Sequence, residues 1–216
     1  NCVGCHEIEK RGGYIRKYYQ ENPTLAPPVL NGEGEKVQSN WFFSFLKAPV
    51  PIRPWLEVRM PTFSFSDEHA NQLINFFNGL AKVEIPYAYF DDKKIPPDYI
   101  DAAKQLVSKD YFNCFSCHQQ GDKKPEGPVD GWAPDLTLAR QRLNPNWILK
   151  WLKDPQKLQP GTKMPSFYPG GPDNILGGKE DLQIEALRDY LMSIGRGAAA
   201  PAPAAPASVA KAKPGK

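Results

Sequence analysis

Cysteine, histidine and methionine are all scarce in this chain, with four, three and three copies among 216 residues. Four cysteines in two tight pairs would cross-link little chain, so a disulfide framework fits poorly, and the length is ample for ordinary cores without staples. Long apolar runs are missing too. No stretch approaches the roughly 18 apolar residues of a membrane span, and no signal peptide is visible at Asn1. An excess of one charge is also lacking. The 27 Lys and Arg against 24 Asp and Glu leave a formal net charge of +3, too small and too scattered to argue for nucleic acid as a partner. Sheet signals are sparse throughout. By contrast, 23 prolines and 17 glycines suit a helical fold with long loops.

What is present is concentrated. All four cysteines and two of the three histidines fall in one pattern that occurs twice, as Cys2-Val3-Gly4-Cys5-His6 and Cys114-Phe115-Ser116-Cys117-His118. C-x-x-C-H is the attachment pattern for c-type haem: two thiols one helical turn apart add to the two vinyl groups of one haem, and the next imidazole lands under the iron. A chance copy is expected about once in a thousand chains of such composition. Two C-x-x-C pairs would also satisfy a four-cysteine zinc site, but such a site has no use for a histidine directly after each pair. A thioredoxin-type dithiol lacks the βαβ pattern that would surround it.

The repeat extends beyond the cysteines. Ala26-Pro27-Pro28-Val29-Leu30 is answered by Ala133-Pro134-Asp135-Leu136. Trp41-Phe42-Phe43-Ser44-Phe45-Leu46-Lys47-Ala48-Pro49 is answered by Trp147-Ile148-Leu149-Lys150-Trp151-Leu152-Lys153-Asp154-Pro155, with equal Leu-to-Trp and Trp-to-Pro spacing. Arg59-Met60-Pro61-Thr62-Phe63 is answered by Lys163-Met164-Pro165-Ser166-Phe167. Each copy closes with an amphipathic helix, expected around Ser66 to Leu80 and around Lys179 to Ile194.

Met60 and Met164 occupy equivalent places, each before a proline that keeps the preceding residue extended and stiffens the loop. A thioether is a soft, neutral sixth ligand that favours ferrous iron and raises its potential, so both are assigned to iron ligation. Core filling is the alternative for any single methionine, and it is the reading adopted for Met192 in its helix. His69, the third histidine, follows Ser66-Asp67-Glu68, an N-cap and acidic first turn, and is expected to be solvated. Arg53, Arg59, Lys157 and Lys163 lie near the two methionines in sequence. They are read either as steering charges for an acidic redox partner, as counter-ions for haem propionates, or as ordinary solvated cations.

The order C-x-x-C-H, Pro-x-Leu, Trp-bearing helix, Met-Pro-x-Phe and closing helix resembles the class I (mitochondrial-like) cytochrome c domain, here in tandem from Asn1 to about Gly195. The resemblance implies an all-α fold, each domain a few helices wrapped around a covalently bound haem with long loops. It implies His6 and His118 as proximal iron ligands and Met60 and Met164 as distal ones. It further implies that the carbonyls of Pro28 and Pro134 accept the proximal Nδ1 proton, a bond that would orient each ring, and that Trp41 and Trp147 belong to the cofactor's surroundings. Family domains begin with a helix before C-x-x-C-H. Pro97 to Lys109 is expected to be that helix in the second domain, with Asp98 as a first-turn acid and Ile100, Ala103, Leu106 and Val107 as its apolar positions. The first copy has no counterpart after Asn1, and upstream sequence holding that helix, with room for a signal peptide, membrane anchor or further domain, is expected.

The domain division is therefore residues 1–86, a linker 87–97, residues 98–195, and an Ala/Pro/Lys-rich tail 196–216 expected to be flexible. The haem should form much of each core, leaving haem-free protein largely unfolded. With two covalently attached haem c groups and both axial positions of each iron filled, the expected role is electron transfer without chemistry of its own, as a shuttle or as the cytochrome c subunit of a larger respiratory complex. A dihaem peroxidase, with one haem opening for substrate, is the alternative. The partners expected are a quinol-oxidising complex, a dehydrogenase or a terminal oxidase, with membrane association only through upstream sequence or a complex. The location implied by the resemblance is the periplasm or the outer face of the cytoplasmic membrane.

Overall fold

The computed structural model describes residues 1–84 and 87–195; the tail at 196–216 lies outside the described residues. The fold is mostly helical with few strands. In chain order its helices are α1 (Cys2–Cys5), α2 (Glu33–Lys36), α3 (Ser39–Lys47), α4 (Asp67–Leu80), α5 (Tyr99–Leu106), α6 (Ala139–Arg142), α7 (Pro145–Lys153), α8 (Pro155–Leu158) and α9 (Glu180–Ile194). One two-stranded antiparallel hairpin follows the first cysteine motif, pairing β1 (Glu7–Ile8) with β2 (Arg11–Gly12). No helix among the described residues is long and apolar enough to cross a membrane.

The sequence repeat appears as a repeat of elements. The short helices α2 and α6 each precede a nine-residue helix, α3 and α7, that carries the tryptophan. Both end alike, at Lys47 and Lys153, followed by one non-helical residue, Ala48 or Asp154, and then proline, as expected where the residue before proline is forced out of helical geometry. Their starts differ. Asn144 accepts a hydrogen bond from the Asn146 amide and Pro145 takes the first helical position, a favourable N-terminus, whereas Gln38 caps α3 without such a bond. The closing helices α4 and α9 lie within a residue of their expected limits. Ser66 caps α4 by accepting from the His69 amide at 3.2 Å, with Asp67 and Glu68 in the first turn where the helix dipole favours acids.

Two hydrophobic clusters form. In the N-terminal half Val37, Phe42, Leu46, Ala70, Ile74 and Phe77 are buried where α3 and α4 meet. The larger cluster of the C-terminal half is built on α5, α7 and α9, with Leu106, Ile148 and Met192 almost fully enclosed, each such side chain contributing about 1.5–3 kcal/mol of burial. Met192 is core, as its helical setting indicated.

Helix α5 is shorter than the sequence pattern implied, and its buried stripe is Tyr99, Ala102, Ala103 and Leu106. Ile100 packs only at the edge of the cluster. Tyr99 and Ile100 are both apolar and adjacent, so periodicity in so short a helix does not choose between them. The structure does, because the phenol of Tyr99 reaches Glu185 of α9 at 3.1 Å and the two alanines let the helix axes approach. Asp98 is the N-cap residue without a capping bond, and the first-turn acid is Asp101. The segment expected to be a linker is tied down: Asp92 forms a bidentate ion pair with Arg140, both contacts at 2.9 Å.

The halves meet through α2 and α6. Val37 bridges Leu143 in antiparallel fashion, with Gln38 N donating to Arg142 O and Asn144 N donating to Lys36 O, both at 2.9 Å. Trp55 also lies edge-on against Trp132, ring centroids 5.7 Å apart.

Gly34, buried in α2, lies directly on α4, where an added Cβ would meet the carbonyl oxygen of Phe77 at 2.3 Å. Backbone cannot yield as a side-chain tip can. Gly34→Ala is therefore expected to destabilise the protein by about 1–3 kcal/mol, whereas Gly32→Ala, with nothing within 4 Å, should cost far less. Denaturant unfolding of both variants checks this, and equal midpoints would contradict the close approach.

Candidate functional site

Each cysteine motif forms a helical turn. His6 N donates to Cys2 O at 2.8 Å and His118 N to Cys114 O at 2.9 Å, so the two thiols of each motif, three residues apart, project to one side with the imidazole just beyond. All four cysteines are free thiols. Cys2 and Cys114 are half-buried, Cys5 and Cys117 exposed. Burial pushes the Cys114 thiol up to about 12, so it stays protonated and neutral at ordinary pH.

The histidines have equivalent partners. His6 Nδ1 lies 2.8 Å from Pro28 O, and His118 Nδ1 lies 2.8 Å from Pro134 O. A carbonyl can only accept, so Nδ1 carries the proton in both rings and Nε2 is left with its lone pair. Burial lowers the His118 pKa, partly offset by that bond to Pro134, which keeps the ring neutral, as a metal ligand must be. The proline segments are held against the motifs by one further shared bond: Leu30 N donates to Glu7 O at 3.0 Å and Leu136 N to Gln119 O at 2.9 Å. In the first half the hairpin turn completes the wrap. Gly13 N reaches the carbonyls of Val3 and His6 at 2.8 and 2.9 Å, and a Cβ on Gly12, at φ +82°, would lie 2.4 Å from Val3 O.

Met60 and Met164 are half-buried against the clusters of their own halves. The tryptophans stand behind them. Trp41 stacks on Phe45 at 4.8 Å and Trp147 on Trp151 at 5.0 Å, one helical turn apart in each case. In the second half the indole N–H of Trp151 lies 2.9 Å from the sulfur of Met164; in the first, the residue at the matched position of the repeat is Phe45, which has no proton to give. That contact was not anticipated from sequence, where Trp151 served only to mark a helix. Its signal was the Phe45/Trp151 difference inside an otherwise matched segment.

His69 is exposed at the start of α4. Of the four cations near the methionines, Arg53 is not a free surface charge: it donates to Thr24 O at 2.6 Å and is half-buried. Arg59 donates to Pro54 O at 2.7 Å and Lys163 to Asp130 O at 3.2 Å. Among the described residues, no three His, Cys, Asp or Glu side chains gather to hold a metal ion.

The residues present fit a covalently attached haem. Reduced thiols are available for thioether formation, an imidazole of defined tautomer offers Nε2, and each half supplies a thioether sulfur next to its aromatic stack. His6 with Met60, and His118 with Met164, are the residues that would hold the iron.

Comparison with known proteins bears on the second half. The family model described as Cytochrome c matches residues 100–195. A curated relative, cytochrome c oxidase subunit 2 of Bacillus subtilis (strain 168), is 32% identical over 92 residues, covering 38% of this chain and 23% of that protein. The chain thus spans about a quarter of that relative's length, and no solved structure matches. Residues 100–195, which hold the second set of thiols, imidazole and methionine, thus match the cytochrome c family model, and that likeness suggests a haem-based electron-transfer role.

Proposed function

We propose that this protein is a dihaem electron carrier made of two tandem class I cytochrome c domains, residues 1–86 and 98–195, joined by residues 87–97. Each domain holds one haem c through its cysteine pair. The observation that carries this reading is the matched pair of 2.8 Å bonds from His6 to Pro28 and from His118 to Pro134. The family match covers only the second half, but the first half reproduces the same orienting bond in the same relation to its cysteine motif.

With histidine and methionine on both irons, no coordination position is left for substrate, and the metal can only change oxidation state. The protein's task is then to set potential and orientation. Both potentials should be positive, suited to passing electrons from a quinol-oxidising complex or a dehydrogenase to a terminal oxidase. The likeness to part of an oxidase subunit supports a place beside or within a terminal-oxidase complex. Because c-type haem is attached to exported chains, the location that goes with this reading is the periplasm or the outer face of the cytoplasmic membrane.

Three measurements test this reading. Met60→Ala and Met164→Ala should each remove one haem's worth of the weak far-red methionine-to-iron absorption band, and an unchanged band in either variant overturns that ligand. The reduced protein should not bind carbon monoxide at neutral pH, whereas clear binding to one haem would favour a peroxidase. Trp151→Phe should lower the midpoint of the second haem only: a proton donor on the sulfur weakens its donation to ferric iron. A bond worth about 1 kcal/mol corresponds to roughly 40 mV for one electron, and spectroelectrochemical titration reads that shift.

A further inference from the structure

The join between the halves gathers three half-buried cations, Lys36, Arg53 and Arg142, around one carboxylate, Glu33. Lys36 and Arg142 close the equivalent short helices α2 and α6, and each leans over the tryptophan of the other half. Lys36 Nζ stands 5.8 Å from the Trp147 ring, and Arg142 Cζ stands 5.3 Å from the Trp41 ring. With the reciprocal Gln38 to Arg142 and Asn144 to Lys36 backbone bonds, the arrangement has an approximate two-fold relation in which each half lends its cation to the other.

The charges do not close. Arg53 lies close enough for Arg142 to depress its proton affinity, an effect second to burial. Burial likewise depresses Lys36 and Arg142. Against these three cations stands Glu33, 3.3 Å from Lys36 and itself buried. The Nε of Arg142 is buried and has no hydrogen-bond partner. Guanidinium groups are seldom left so, and three half-buried cations against one carboxylate leave positive charge for an anion from outside the polypeptide to meet.

The tryptophans say which anions. Trp147 stacks on Trp151, whose N–H reaches the sulfur of Met164, and Trp41, which stacks on Phe45, packs like Met60 against the cluster of the first half. Each cation therefore stands on the aromatic stack of the other half. A haem brings two carboxylates on the edge remote from its thioether-linked vinyl groups, and the cysteine motifs hold the vinyl edge.

We propose that this join is a crossed carboxylate-binding site, in which Lys36 pairs with a propionate of the haem attached at Cys114 and Cys117, and Arg142 pairs with a propionate of the haem attached at Cys2 and Cys5. The inference rests on the two-haem reading above. It makes the join the place where the carboxylate edges of both haems meet, so that each haem's potential depends on a side chain of the opposite half.

The test is spectroelectrochemical titration of holoprotein carrying Lys36→Met or Arg142→Met. Wave assignment comes from the same substitutions made in a Met164→His background, where the second haem's midpoint is displaced downward. Loss of a nearby cation favours ferric iron and lowers the midpoint. The expected result is crossed: Lys36→Met shifts the second haem more than the first, and Arg142→Met the first more than the second. Lys36→Arg and Arg142→Lys should hold both midpoints near the parent values, separating lost charge from lost folding. Shifts confined to the haem of the mutated half, or no shift at all in protein with two haems, overturn the crossed site while leaving the two-haem reading intact. A haem count below two by pyridine haemochrome assay overturns both.

Discussion

An imidazole following two thioether-forming cysteines can serve iron through Nε2 only while Nδ1 keeps its proton, and the carbonyls of Pro28 and Pro134 hold that proton at 2.8 Å in both halves. Much of the surrounding structure serves to keep those carbonyls in place. They belong to loop segments with no regular ladder to occupy them, pinned by the amides of Leu30 and Leu136 against the residue after each histidine. The Trp-bearing helices follow at fixed distance, and the methionine loops and closing helices pack on those. Remove the carbonyl and the ring is free to rotate; the thiols alone would hold a haem without defining its axis.

Much of this was legible in the sequence because it is local or repeated. The turn of each C-x-x-C-H motif, the Ser66 cap, and the near-coincident limits of α4 and α9 all follow from patterns a few residues long. What was not legible depends on partners distant in sequence. The pairing of Val37 with Leu143 involves a single residue on each side and leaves no periodic trace. Lys36 and Arg142 look like any solvated cations until the halves are brought together, and Arg53 looked like a surface charge although it bonds the Thr24 carbonyl. The register of α5 failed for a simpler reason, since two adjacent apolar residues fit the same stripe and only α9 distinguishes them.

The two halves share a frame, the His-to-Pro bonds included, yet differ around the methionines and the closing helices. Trp151 supplies a proton to the sulfur of Met164, and Phe45 cannot do so for Met60. The second half has α5 laid across α9, joined by the phenol of Tyr99 and the carboxylate of Glu185, while α4 keeps Phe76 half exposed at 51%. Equal ligand types would therefore not give equal iron environments: the orienting bonds to the histidines are repeated, and the proton donor on the methionine is not.

The contact between Lys36 to Gln38 and Arg142 to Asn144 is made largely by main-chain groups. Main-chain bonding is indifferent to side-chain identity but not to chain length. Substitutions along these two segments can accumulate without parting the halves, whereas a single inserted or deleted residue in either would shift every reciprocal bond by one place and turn the neighbouring tryptophan helix away. The segment lengths on either side of this join are thus the quantity under constraint, and variation between related chains should appear there as changed letters with unchanged count.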